Sequence, residues 1–284
     1  MERQGKINIG GFELSYRCEG QGTPVLIIGS TIYYPRLFSA ALREKLQLIF
    51  IDHRGFATAP AAYKPEDYTL ERILDDTEAI RELLGLDKFV MLGHSGHAFL
   101  ALEYAKKYPA HVQKVALFNS APTNNQERQK QSIAYFLSAA EPERKKKFEQ
   151  DIALLQEDIK RDPARRFVHM LIRMGPQSFY DYHIDAAPMW EGVTTNMPII
   201  DYLWGKAFAQ LDLRKSLASF DKSVLLGLGQ HDYLVGPVDL WAGIENEAKQ
   251  VKKVIFARSG HNPMYEEPEL FDRTLFEWIE GRAL

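Results

Sequence analysis

The sequence predicts an α/β protein with a mostly parallel, doubly wound sheet and one inserted helical cap. Three observations carry this expectation. Short apolar runs recur along the chain, helical patterns separate most of them, and the alternation stops between residues 121 and 217. Continuous apolar runs suit strands covered on both faces, and strands alternating with helices build parallel sheets.

The elements follow in order. Residues 6–9 and 12–17 alternate around Gly10-Gly11, the pattern of an N-terminal hairpin. Buried-strand runs are read at residues 24–29, 46–51, 89–92, 115–118, 224–228 and 254–257. Helices are expected over 37–45, 70–84, 99–108 and 270–279, with Gly85 and Pro109 as stop signals. Residues 121–217 read as helices and loops, charged at first and rich in Tyr, Trp and Phe later. This divides the chain into a core, 1–120 with 218–284, and a helical cap, 121–217.

Composition narrows the class. The chain has 284 residues, is 45% hydrophobic and 26% charged, and carries a net charge of −3, which gives no basis for nucleic-acid binding. The basic run 144–147 reads as a solvated helix face. Cys18 is the single cysteine, so no internal disulfide forms. No apolar stretch suggests a signal peptide or membrane span, and a soluble cytoplasmic protein is expected.

The chemistry centres on Gly93-His94-Ser95-Gly96-His97, which follows an apolar run and precedes a helical pattern. A serine on such a strand–turn–helix junction is lifted clear of the sheet beside free helix N–H groups. Serine is a poor nucleophile unless an imidazole takes its proton and an acid orients that imidazole. Asp232 and His261 follow in that order, just past the fifth and sixth runs, with Asp239 as a lesser candidate for the acid. The oxyanion donors are expected at the amides of Gly96 and of the loop Gly29-Ser30-Thr31-Ile32-Tyr33, with Thr31 preferred over Ser30. His94 and His97 lack a third ligand for a metal, and His97 reads as a packed histidine behind the turn. Asp52 and Arg54 read as structural. Neither a cofactor nor a metal is expected.

With these residues in view, the chain resembles the α/β-hydrolase superfamily from about residue 6 to residue 281. Within it, it is similar to proline iminopeptidases. Asp52-His53-Arg54-Gly55 looks like their D-x-R-G turn, Gly93-His94-Ser95-Gly96 like their serine turn, and Trp190-Glu191-Gly192 like the W-E-G string of their cap. The resemblance implies that Glu191, beside Trp190, receives the free α-amino group of a substrate. It departs at residues 29–33, where that family carries H-G-G-P-G, and at Ala57, Ala59 and His97. The expected function is therefore a Ser-His-Asp hydrolase of small acyl substrates or short peptides. The first expectation is a proline-type aminopeptidase, with an esterase or lactonase as the alternative. A ligand-binding relative with little turnover is the reading of another class.

Overall fold

The computed structural model describes residues 3–282. β1 (Arg3–Ile9) and β2 (Phe12–Gly20) pair as the hairpin around Gly10-Gly11. β3 (Thr23–Gly29), β4 (Leu46–Asp52), β5 (Phe89–His94), β6 (Val112–Phe118), β7 (Val224–Gly229) and β8 (Val251–Phe256) follow. They form one eight-stranded sheet in the order β1-β2-β4-β3-β5-β6-β7-β8. β2 runs antiparallel to β1 and β4, and every pair from β4 to β8 is parallel.

The pattern of burial explains the sequence. β5 and β7 are buried at every residue because apolar clusters cover both faces of the sheet. β8 begins earlier than the apolar run suggests. Lys252 is exposed and Lys253 half-buried, which breaks hydrophobicity at this edge strand; charged edges also discourage further pairing. The helix expected over 37–45 shrinks to a single turn, Ala40–Arg43. Ser39 starts it by accepting the Leu42 N–H, after a separate tight turn at Tyr34–Arg36.

Helix α1 (Leu70–Leu84) is capped by Thr69 and stops at Gly85, whose φ of 67° suits glycine. Helix α2 (His97–Lys107) leaves the serine turn and is buried along most of its length. Between β6 and β7 the described residues form no named strand. Helices α3 (Gln126–Ala139) and α4 (Arg166–Arg173) are two of the parts of this segment that border the site. Its neck is tied by a bridge between Thr123 and Asp212 and by the Leu213 N–H donating to the Pro122 carbonyl at 2.8 Å.

Arg144 corrects the reading of residues 144–147 as a solvated face. It is 2% exposed, pairs with Glu141, and donates to the carbonyls of Pro176, Phe179 and Tyr180. Five donors on one planar head let an arginine gather a loop in this way. Among the described residues no helix is long and apolar enough to cross a membrane.

Candidate active site

Ser95 occupies the turn between β5 and α2 with φ of 58°, a left-handed conformation that costs a non-glycine residue about 1–3 kcal/mol. The fold holds it there. The Ser95 N–H donates to Phe118 O at 2.9 Å, and Ser95 O accepts the Ala98 N–H at 3.1 Å. Close packing fixes the flanks: a Cβ on Gly93 would lie 2.5 Å from the His97 carbonyl. His97 stands where a small residue is usual, and its ring occupies space opened by Gly29. A Cβ there would lie 3.2 Å from His97 Cε1 and 2.2 Å from the Tyr34 ring.

Asp232 and His261 lie just beyond the carboxyl ends of β7 and β8, where open parallel sheets gather ligands. The His261 Nδ1–H donates to Asp232 Oδ2 at 2.7 Å. This fixes the tautomer and leaves Nε2 as the free basic nitrogen. Asp232 is 2% exposed and fully engaged. Oδ2 also accepts from Asn119 Nδ2 at 2.9 Å, while Oδ1 accepts the N–H groups of Leu234 and Val235 at 3.0 and 3.2 Å. Asn119, at the end of β6 with φ of 47°, also donates to the Gly260 carbonyl at 2.8 Å. It ties the loops carrying both partners together. Asp239, the lesser candidate, makes no bond to His261; its turn is Val238–Trp241.

Behind Ser95 runs a buried chain of rings whose proton order its two ends dictate. The Gly55 N–H donates to His53 Nδ1 at 3.0 Å, so His53 carries its proton on Nε2. That proton points at His97 Nε2 at 3.0 Å, which leaves the His97 proton on Nδ1, 2.8 Å from the Tyr34 hydroxyl. Tyr34 then donates to His94 Nδ1 at 3.3 Å, and the His94 Nε2–H donates to the His261 carbonyl at 2.7 Å. Burial holds all three histidines neutral: it lowers His53 to about 3 and takes His94 and His97 well below the usual range.

On the opposite side Glu266 clasps the His261 loop to the helical segment. One oxygen accepts the Tyr180 N–H at 2.6 Å; the other accepts those of Gly260 and Asn262 at 3.0 Å. Burial pushes its carboxyl up to about 7.

The loop after β3 corrects the expectation for Thr31. Its N–H and hydroxyl both donate to Asp52 Oδ1, at 2.7 and 2.9 Å, so its amide is already committed. Ser30 borders the cavity with Ser95 and Gly96, and neither the Ser30 nor the Gly96 amide has an acceptor among the described residues. Asp52 also accepts the Ser15 N–H, and Arg54 grips Asp76 with two bonds of 2.5 and 2.8 Å; both residues hold loops in place.

Ser95 and His261 open onto a cavity of about 640 Å³ between the sheet end and the helical segment. Its walls are mainly apolar and include Phe56, Phe136, Phe148, Phe167, Met170 and Trp204. Trp190 lines it and stacks on Tyr33, with ring centres 4.0 Å apart. Glu191 does not line it. Its side chain belongs to an exposed residue, and only its carbonyl is engaged, by Arg36. Among the described lining residues none is Asp or Glu, and Arg128 is the one Lys or Arg. No group of three His, Cys, Asp or Glu able to hold a metal occurs among the described residues.

Sequence reading missed Asn119, Tyr34, His53, Glu266 and Arg128. Only Asn119 had a visible signal, a polar residue ending an apolar strand run.

Comparison with known proteins agrees with this architecture. The family model described as the alpha/beta hydrolase fold matches residues 27–268, and the chain belongs to that family. It is 52% identical over 280 residues to the AB hydrolase superfamily protein YclE of Bacillus subtilis (strain 168), covering 99% of this chain and 100% of that one. Proline iminopeptidase PfmaB of Pestalotiopsis fici is 24% identical, with coverage of 96% and 98%. Among solved structures, the esterase EaEST from Exiguobacterium antarcticum superposes with a TM-score of 0.67 at 22% identity, covering 97% of this chain and 98% of that one.

Proposed function

We propose that the protein is a serine hydrolase that cleaves small esters with an apolar body. The observation that carries this is the Asp232–His261 pair, at 2.7 Å, opening on the same cavity as Ser95 in its strained turn. In this reading His261 Nε2 takes the Ser95 proton as Oγ attacks the acyl carbon. Asp232 keeps the imidazole oriented and stabilises its charged form. The Gly96 and Ser30 amides receive the oxyanion, where preorganised donors act most strongly. His261 then protonates the leaving group, and water releases the acyl group by the reverse sequence.

An ester is favoured over a peptide with a free N-terminus. An ammonium group needs a carboxylate, none lines the cavity among the described residues, and Glu191 lies off it. The similarity to a proline iminopeptidase and the Trp190-Glu191-Gly192 string support the rival peptidase reading.

Hydrolysis of p-nitrophenyl butyrate beside proline p-nitroanilide separates them. Ester turnover is expected, with Ser95→Ala lowering it at least about 1000-fold. Preferential anilide turnover would establish the peptidase instead. Near-wild-type ester activity in Ser95→Ala would remove Ser95 from the nucleophile's role.

A further inference from the structure

The cavity is lined by one arginine that has no ion-pair partner among the described residues. Arg128 sits in the first turn of α3 and lines the cavity together with Ser95 and His261. Its Nη1 donates to Ser132 Oγ at 3.3 Å and to Leu234 O at 3.4 Å, and its Nη2 donates to Asn124 Oδ1. All three acceptors are uncharged, and all three bonds lie on the Nη atoms. Nε is buried with no partner. Among the described residues Arg128 forms no ion pair; the carboxylate whose charge reaches it is that of Asp232, which is itself bonded to His261.

The position is costly in three separate ways. A half-buried guanidinium without an ion-pair partner loses part of its solvation. A buried N–H without an acceptor costs about 1–3 kcal/mol more. The first turn of a helix, moreover, presents the positive end of its dipole, which disfavours a cation and favours an anion. The free protein offsets these only in part, through the Nη bonds and the charge of Asp232. An anion bound in the cavity would supply the counter-charge that the helix end and the guanidinium both favour.

We propose that Arg128 anchors a carboxylate carried by the substrate, so that the preferred ester is a monoanionic one with an apolar body. This inference rests on the acyl-hydrolase reading of Ser95 and His261. A carboxylate fits better than a phosphate dianion because a single guanidinium lines an otherwise uncharged, mainly apolar chamber, and one positive charge matches one negative charge. The Leu234 bond holds Arg128 beside the Asp232 loop, at the chamber end that adjoins the reacting groups.

The test compares monomethyl adipate with methyl hexanoate, which has a methyl group where the first has its free carboxylate. Acid release is followed in the wild type, Arg128→Met and Arg128→Lys. The expected result is a wild-type preference for the anionic ester. The ratio of the two kcat/KM values should fall about 10–100-fold in Arg128→Met and be partly retained in Arg128→Lys. A ratio unchanged by Arg128→Met overturns the proposal.

If the wild type cleaves neither ester, the acyl-hydrolase reading is the one in question, and binding decides the anchor separately. Monomethyl adipate is titrated calorimetrically into the Ser95→Ala protein with and without Arg128→Met. Binding weakened by the second change supports the anchor. Equal affinity, or no binding by either protein, overturns it.

Discussion

The two walls of the cavity are built on opposite terms. At the sheet end nearly all the polar groups are answered by protein, Asn119 Oδ1 excepted: Asp232 accepts four bonds, and the ring chain from His53 to His261 has a donor facing an acceptor at every link. On the helical wall the surface is mostly apolar, and two of its polar side chains each keep one buried atom unanswered. Arg128 Nε has no partner, and neither does Oε1 of Gln177, a residue only 6% exposed. The difference teaches a division of labour. On the proposed reading, groups that must keep one geometry through a reaction are held by the protein itself, whereas groups that recognise a ligand keep bonding capacity in reserve.

The largest test of that contrast is Asp232→Asn. An amide can present its N–H to His261 Nδ1 and reverse the tautomer, so kcat should fall by roughly 10⁴-fold with little change in fold. Steady-state kinetics beside circular dichroism would check it; a drop below tenfold would mean that the sheet-end order matters less than its bonding suggests.

A smaller effect is expected from Tyr34→Phe. It removes the hydroxyl that accepts from His97 and donates to His94, leaving two buried groups unanswered. Loss of about 1–3 kcal/mol in urea unfolding is expected. Unchanged stability would show that the rings pack without the ordered chain.

The smallest effect concerns pH. The Glu266 carboxyl titrates at about 7 in the fold against 4.5 normally, so between those values the folded form keeps a proton that the unfolded form has released. Its contribution to stability is therefore fully present below pH 4.5 and is lost as pH rises to about 7. Glu266→Gln cannot titrate, and the stability difference between it and wild type should shift against wild type over that range. Parallel urea midpoints across the range would show that burial does not perturb this carboxyl.

Much of the sheet and the placement of Ser95, Asp232 and His261 at strand ends was legible in advance because each is locally encoded. Apolar runs mark doubly covered strands, and Ser95, Asp232 and His261 each follow one of them directly. Features set by distant packing were not legible. Arg144 looked like part of a solvated run, yet the carbonyls that bury it lie at Pro176, Phe179 and Tyr180. Thr31 looked like an oxyanion donor until Asp52, on another strand end, was seen to hold its amide. Glu191 sat in a familiar string, but a string does not state which way a side chain turns.

The sequence by itself determined the strand–helix alternation, the strained serine turn and the positions of Asp232 and His261 just past strand runs, because period, turn chemistry and spacing act over a few neighbours. Only the tertiary structure decided which amides stay free, which proton each buried histidine carries, and that one guanidinium lines a mainly apolar chamber without an ion-pair partner among the described residues. Those outcomes depend on which atoms from distant segments come within about 3 Å of one another, the range over which a hydrogen bond is made or missed.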